Sequence, residues 1–291
     1  MGAATLGFVT WNIQWGRGVD GRVDLPRIVS CIGRWRDVDV VMLQEVADGF
    51  ASLPGHDGSD QFAALAALLP GYECIQAAGT EVAGRGGRRQ RFGNVIATRL
   101  PVRQVWRHLL PWPMDPGGMS MQRVALETCL DTPLGPLRVT TTHLEYYSAR
   151  QRAAQVQRLR ELHAEAVQHG RGRRPGGEDT GPFVAVPRGA PAVLAGDMNC
   201  TPGSDELQAL LHPFDDGTPA YRDAWPALHG AALHPWTVGL HDKAQWPDGP
   251  RTFDFFLVSE DLAPRVRHVE VDAAVDASDH QPVLLRLDAA P

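Results

Sequence analysis

The chain is built on short apolar runs, each of which stops at a polar or charged residue. Val38–Glu45 and Ala192–Met198 are the clearest cases, because they are apolar and too short for buried helices. Segments with the apolar period of a helix alternate with these runs, at about Asp24–Arg36, Ser59–Leu69 and Ser148–Gln168. This alternation predicts an α/β (α+β) protein.

The other predicted elements are one strand at the start of the chain and several elements in its middle and at its end. They are a helix at Ser204–Leu211 and strands at Gly7–Ile13, Gly93–Leu100, Val102–Leu110, Gln122–Asp131, Leu137–Leu144, Thr252–Ser259, Val266–Asp272 and Pro282–Asp288. No linker composition divides the chain, so we predict a single domain over residues 1–291. A surface loop rich in Gly, Pro and Arg is predicted as an insertion at about 170–191.

Composition excludes several classes of protein. No apolar run reaches the ~20 residues that a membrane span needs, and the N-terminus lacks the features of a signal peptide. The formal net charge of −6 argues against a general nucleic-acid coating protein. The four cysteines are far apart, which argues against a zinc site: Cys31, Cys74, Cys129 and Cys200. We expect a cytoplasmic monomer.

Acids, amides and histidines stand where the predicted strands end. They are Asn12, Glu45, His143, Asp197, Asn199, Asp254, Asp279 and His280. A polar group inside an apolar run is unfavourable unless it is paired or liganded. One such interruption is usually a satisfied core group, but this many at strand ends indicate a shared cavity.

The residue types suit a hard cation, because carboxylate and amide oxygens select Mg²⁺ or Mn²⁺ rather than zinc. Glu45 fits the role of a ligand. Asp279 and the Asn12 amide could complete the site or flank it. Mg²⁺ is the expected cofactor, with Mn²⁺ as a substitute.

The remaining polar residues suit proton transfer and charge stabilisation. Asp197 and Asn199, two apart on an extended chain, point to the same side and could hold and activate a water. His280 needs an orienting carboxylate, for which Asp254 is the best candidate. His143 is left as a further donor.

Four more residues are candidates for binding a substrate phosphate. Arg123 either reaches the phosphate or points outward from its strand. The run Arg85–Arg91, with Arg88 and Arg89, leads into Gly93-Asn94; it either grips a phosphate backbone or is a solvated loop. Asn94 is the fourth candidate.

One loop before the Asp254 strand is rich in His, Trp and Pro. Its Trp236 could stack on a base or sugar, or could merely pack within the loop.

Short motifs follow one another along almost the whole chain, each of them at one position. They are WN at 11–12, LQE at 43–45, GN at 93–94, THL at 142–144, GDMN at 196–199, FDFFLVS at 253–259 and SDHQPV at 278–283. On these motifs the chain resembles the endonuclease/exonuclease/phosphatase superfamily. The resemblance implies a DNase-like four-layer α/β/β/α sandwich, with the active site at one edge of two packed sheets.

The resemblance also assigns roles to the motif residues. It implies that Glu45 is the metal ligand, with Asn12 and Asp279 beside it. The pair formed by Asp197 and Asn199 would activate water and bind phosphate. The implied Asp–His pair is Asp254 and His280, and His143 matches the second histidine of the DNase-like and sphingomyelinase-like branches.

Departures from the family's motifs indicate which branch of the superfamily the chain resembles. THLEYY stands where apurinic endonucleases carry Tyr-x-Pro-Asn, and residues 252–255 lack the Trp-Cys-Asp-Arg motif of inositol 5-phosphatases. The chain looks more like the DNase-like, sphingomyelinase-like and tyrosyl-DNA phosphodiesterase-like members.

The expected function is Mg²⁺-dependent hydrolysis of a phosphodiester by metal-assisted in-line attack of water. The substrate is either a nucleic acid or a small-molecule or lipid head group. One alternative is a phosphomonoesterase with the same centre. Another is a non-catalytic binding scaffold, but such a protein should have lost an acid or a histidine that this chain keeps.

Overall fold

The computed structural model describes residues 5–172, 188 and 191–290. Its strands are β1 (Thr5–Asn12), β2 (Val40–Asp48), β3 (Glu73–Ala83), β4 (Arg89–Thr98), β5 (Val102–Leu109), β6 (Val124–Thr132), β7 (Gly135–His143), β8 (Ala192–Asp197), β9 (Tyr221–Asp223), β10 (Asp254–Ser259), β11 (Val266–Val271) and β12 (Val283–Asp288). Sheet 1 has the order β11-β12-β1-β2-β4-β3 and sheet 2 the order β5-β6-β7-β8-β10-β9. In both sheets the third and fourth strands are parallel and the other neighbours antiparallel.

The helices begin at capping side chains that the sequence supplies. They are α1 (Leu25–Ile32), α2 (Gln61–Leu68), α3 (Ala149–Arg171), α4 (Asp205–Leu211) and α5 (Ala224–His229). Asp24, Asp60, Ser148 and Ser204 each accept a backbone hydrogen bond from the first turn of the helix that follows. α1 ends at Ile32, one turn earlier than predicted from the apolar stripe.

Side-chain alternation along the strands creates four layers. In β1, Phe8 belongs to the core between the two sheets, whereas Val9 packs in the core under α1 and α2. In sheet 2, Phe256 faces the inter-sheet core and Phe255 packs in the core under α3 and α4. The α/β/β/α sandwich predicted from the resemblance is therefore confirmed.

Some elements differ from the sequence prediction. Strand β3 was not predicted, because its sequence is rich in Ala and polar residues and it lies at a sheet edge. The Arg85–Arg91 run is not a long loop: a tight turn at Arg85–Gly87 closes the β3–β4 hairpin, and β4 already begins at Arg89. The short elements β9 and α5 were also missed.

The insertion predicted at about 170–191 lies mostly outside the described residues. Its first two positions belong to α3, which extends to Arg171. Within the part of the chain that the structure describes, no helix has both the length and the apolarity needed to cross a bilayer.

Strand register brings the polar strand ends to one edge of the sandwich. Asp197 at the end of β8 pairs with His143 at the end of β7 and with Asp254 at the start of β10. Asn12 at the end of β1 pairs with Gln44, next to Glu45. Because β1 and β2 are parallel, as are β7 and β8, their carboxyl ends carry the candidate residues together.

Candidate active site

Close approach of β7 and β8 sets the position of Asp197. Gly196 precedes it with a φ of +139°, and a Cβ at Gly196 would lie 1.9 Å from the backbone oxygen of Thr142. Only glycine fits both this backbone and this contact. The first residue of the GDMN motif is therefore a requirement of strand packing.

Asp197 is surrounded by polar groups from three other segments and from its own loop. Its Oδ2 accepts from Asn12 Nδ2 at 3.0 Å and lies 3.5 Å from His143 Nε2 and 3.6 Å from His280 Nε2. Its Oδ1 accepts from the Asn199 backbone N–H at 2.9 Å. Burial raises the pKa of Asp197 to about 6, against the opposing charge of His280.

The predicted Asp–His pair is present. His280 Nδ1 lies 2.8 Å from Asp254 Oδ2, which also accepts from Thr237 Oγ1 at 2.7 Å. Burial disfavours a charged imidazole, but the carboxylates of Asp254 and Asp197 outweigh it and hold the pKa of His280 well above its ordinary range. The pair therefore presents a cationic Nε2–H beside Asp197.

Glu45 occupies a strained position at a break in its strand. The β2–β4 register shifts between Leu43 and Val46, and Glu45 has a φ of +59°. Such bulges next to active sites redirect a side chain. Glu45 Oε1 accepts from Asn12 Nδ2 at 3.0 Å, and burial, followed by the charge of Asp279, raises the pKa of Glu45 to about 7.

These carboxylates fit a divalent cation. Glu45 and Asp279 line the same pocket, and the charge of Asp279 adds to burial in raising the pKa of Glu45, so a divalent cation bound there would neutralise both carboxylates. Asp197, Asp254 and His280 also bring ligand atoms within 4.8 Å of one another. There, however, the imidazole already lies between the carboxylates and supplies the positive charge, so we favour the Glu45 and Asp279 position.

Asn12 acts as a bridge in this arrangement. Its Nδ2 donates to Glu45 and Asp197, and its Oδ1 accepts from the Gln14 backbone N–H at 3.1 Å. The amide orients both carboxylates and keeps one oxygen lone pair. Its expected role beside the metal ligand is compatible with this geometry and stays a prediction.

His143 is the neutral counterpart of His280. Burial, then the positive charges of Arg123 and His280, hold the pKa of His143 well below its ordinary range. Arg123 donates from Nε to the buried Glu145 at 3.2 Å, and its Nη1 is buried without a hydrogen-bond partner. Arg123 lies just before β6, which begins at Val124 rather than at Gln122, and it is buried and lines the pocket instead of pointing to solvent.

Asn199 lines the pocket, but its backbone conformation differs from the extended one that the sequence predicts. The chain after β8 is not extended there, because Asn199 has a φ of +48° and its backbone N–H returns to Asp197. Its Nδ2 donates to the backbone oxygen of Leu144 at 2.8 Å, which fixes the amide and leaves Oδ1 free to accept from a water.

Three predicted phosphate-binding residues do not line this pocket. Arg88 lies 3.4 Å from Asp48, and Arg89 lies 2.9 Å from Glu81. Asn94 Nδ2 donates to the backbone oxygen of Val124, joining sheet 1 to sheet 2. Each side chain thus has a protein partner, and a contact with substrate phosphate remains a prediction that the geometry does not support.

Aromatic residues of the pocket were missed from sequence. Trp236 does not line the pocket, whereas Trp246, from the same loop, does, and its Nε1 donates to Asp279 Oδ2 at 3.1 Å. Tyr146 and Tyr147, after β7, line it as well. The composition of the loop was a valid signal, but spacing could not identify which tryptophan faces the site.

The candidate catalytic groups lie in an open pocket of about 550 Å³. Buried carboxylates, one cationic and one neutral imidazole, and a buried arginine meet at the edge of a two-sheet sandwich. This arrangement suits the hydrolysis of phosphate esters with the help of a divalent cation.

The chain belongs to the Endonuclease/Exonuclease/phosphatase family, whose profile matches residues 9–280. Members of this family are phosphoesterase hydrolases that depend on divalent metals. A comparison with curated protein sequences finds no significant match.

Solved structures show the same fold. An endonuclease/exonuclease/phosphatase from Beutenbergia cavernae is 26% identical, with a TM-score of 0.63, and the alignment covers 98% of this chain and 71% of that one. The 3′ phosphatase NExo from Neisseria, bound to a product DNA hairpin, is 19% identical (TM-score 0.61; 97% and 99% covered). The mannosyl-6-phosphatase Bt3783 from Bacteroides thetaiotaomicron is 16% identical (TM-score 0.60; 96% and 98% covered).

Proposed function

We propose that the protein is a Mg²⁺-dependent phosphodiesterase that hydrolyses its substrate by in-line attack of water. The observation that carries the proposal is the position of Asp197, which lies between the Asp254–His280 pair and the Asn12–Glu45 pair. A base and a cationic hydrogen-bond donor are thereby held side by side, next to the carboxylates that would hold the metal.

Asp197 is the proposed general base. A buried carboxylate with a pKa of about 6 is ionised at neutral pH and still accepts a proton readily. Asn199 Oδ1 would accept the second hydrogen of the attacking water and so fix its orientation. Both residues line the pocket.

His280 and Arg123 would stabilise the charge that develops on the phosphoryl oxygens. His280 is held in position by Asp254, and Arg123 by Glu145, so neither has to reorganise during the reaction. Neutral His143 would donate one further hydrogen bond. Glu45 and Asp279 would hold Mg²⁺, which when bound supplies additional neutralisation of phosphoryl charge.

The substrate options of this proposal are a nucleic acid and a small phosphodiester. Solved structures of the same fold include a 3′ phosphatase bound to DNA and a mannosyl-6-phosphatase, so the fold serves phosphate esters of both nucleic acids and small molecules.

Hydrolysis of bis-p-nitrophenyl phosphate tests the proposal. Activity should need Mg²⁺ or Mn²⁺ and disappear with a chelator. Glu45→Gln should raise the Mg²⁺ concentration for half-maximal rate by about tenfold or more, because one anionic ligand is lost. Glu161→Gln, on the exposed face of α3, is the matched control and should behave as wild type. Full activity in a chelated, metal-free sample would refute the proposal.

A further inference from the structure

Six aromatic side chains line the pocket beside the catalytic groups, and we call them the aromatic wall. They are Trp15, Phe50, Phe92, Tyr146, Tyr147 and Trp246. Phe50 and Phe92 contact each other edge to face, with centroids 6.4 Å apart; Phe92 belongs to β4 and Phe50 lies in the loop after β2. Tyr146 contacts Tyr147 at 4.9 Å and Trp246 at 6.1 Å, and these come from segments flanking sheet 2.

Trp246 joins the aromatic wall to the catalytic groups. Its Nε1 donates to Asp279 Oδ2 at 3.1 Å, and its ring centroid lies 6.4 Å from that of His280. A ring that rests on the wall is therefore within a few bonds of a phosphate that contacts His280. The wall has the position of a subsite for a group esterified to the reacting phosphate.

The charges around the pocket do not suit a polyanion. Among the described residues that line it, Arg123 is the one Lys or Arg, and its guanidinium lies beneath the surface against Glu145. Three lining residues carry carboxylates: Glu45, Asp197 and Asp279. A nucleic-acid strand needs several cations along its backbone as well as rings for its bases. This pocket offers the rings and a place for one phosphate.

We infer that the pocket takes a small phosphodiester with a single phosphate and a flat, nucleobase-like aromatic group on one ester arm. The inference rests on the proposed function and names its substrate class. A volume of about 550 Å³ lies in the range of small-molecule sites, and aromatic walls bind flat rings by stacking.

Binding of two products that differ only by the base tests the inference without turnover. Adenosine 5′-monophosphate and ribose 5-phosphate would be compared by equilibrium dialysis in Mg²⁺. Adenosine 5′-monophosphate should bind about tenfold more tightly or better, the scale of one stacked base. Tyr147→Ala should remove most of this difference, and Tyr147→Leu should not restore it, because a leucine supplies apolar area without a ring.

Controls keep the result interpretable. The Tyr147 side chain is 60% exposed, so its loss should not impair folding, and Phe50→Leu tests the other half of the aromatic wall. Trp236→Ala removes an exposed ring that does not line the pocket and should keep the full difference.

Three results would overturn the inference: equal affinity for the two products, equally tight binding of phosphocholine, or tighter binding of a single strand of about 20 nucleotides with a steep salt dependence. Absence of phosphodiester hydrolysis would instead refute the proposed function, since the binding measurement needs no turnover.

Discussion

His143 and His280 both lie beside the Asp197 carboxylate, yet their pKa values are shifted in opposite directions. Burial disfavours the charged form of both imidazoles; the charges of Asp254 and Asp197 outweigh it at His280, whereas the positive charges of Arg123 and His280 add to it at His143. We therefore expect the two imidazoles beside Asp197 to take different roles, His280 as a cation and His143 as a neutral donor. In many enzymes the surroundings move the pKa values of two neighbouring groups apart, so that one group can act as an acid and the other as a base.

The Asp254–His280 pair gives the prediction at this scale. His280→Ala should lower kcat on bis-p-nitrophenyl phosphate by about 10²–10⁴, the usual scale for a positioned acid–base group. Asp254→Asn should lose a large part of the same amount, because the imidazole then loses its orienting charge. The double variant should be little worse than His280→Ala, since residues that act as a unit are not additive.

A second Asp–His pair in the chain provides the control. His234 Nε2 lies 2.7 Å from Asp223 Oδ2 but does not line the active-site pocket, so His234→Ala should keep kcat. If the losses at Asp254 and His280 simply multiply, the two side chains do not act as a unit.

At the scale of secondary-structure elements, two irregularities in the strands position residues of the site. The bulge at Glu45 turns a side chain of β2 toward Asn12 and Asp279. The close contact at Gly196 holds β8 against β7, so that Asp197 faces His143. The first feature brings together carboxylates that would otherwise repel, the second places His143 beside Asp197, and the sheets hold both arrangements in position.

Gly196→Ala tests the second feature. The new Cβ would lie 1.9 Å from the Thr142 backbone oxygen, and the φ of +139° is strained for any other residue. We expect the free energy of unfolding to fall by about 3 kcal/mol or more, with loss of activity in what remains folded.

Gly203→Ala separates strain from steric clash, because Gly203 also has a positive φ (+84°) but its Cβ would meet nothing within 4 Å. It should lower the unfolding free energy by only about 1 kcal/mol in urea titrations. Equal effects of the two substitutions would show that strand contact is not the determinant.

The sequence predicted the strand ends at Asn12, His143 and Asp197, because each residue interrupts an apolar run that only a buried strand explains. It was wrong at Glu45, because β2 continues past this residue to Asp48. The Asp254–His280 contact followed from the same reasoning. The turn at Asn199 and the bulge at Glu45 could not be predicted, since a positive φ at a non-glycine residue leaves no pattern. The β3–β4 hairpin was missed because an edge strand needs no continuous apolar run.

At the scale of the whole molecule, the core between the sheets joins both halves of the chain. Phe8 and Met42 pack in it with Val193 and Phe256, so neither sheet could bury its inner face alone. This shared core supports the single domain that the sequence predicts. Outside this core, α3 is held on sheet 2 by polar contacts as well as by apolar packing.

His163 of α3 is the buried group in this contact that links stability to pH. Its Nδ1 accepts from the Arg138 guanidinium, which can only donate, and its Nε2 lies 2.8 Å from the Pro219 carbonyl oxygen, which can only accept. The ring is therefore neutral with its proton on Nε2. Burial, then the charge of Arg138, lowers the pKa of His163 to about 3.

The depressed pKa makes the folded protein sensitive to acid. Between the unfolded value of 6.5 and about 3, the unfolded chain binds a proton at His163 that the folded chain does not bind. Stability from this group is complete above pH 6.5 and is lost as the pH falls, with a slope of up to about 1.4 kcal/mol per pH unit.

His163→Gln can keep both hydrogen bonds without titrating. Urea unfolding of both proteins between pH 4 and pH 8 should show the wild type losing stability faster below pH 6.5, after their difference at pH 8 is subtracted. Parallel pH profiles would mean that His163 takes up its proton in the folded protein.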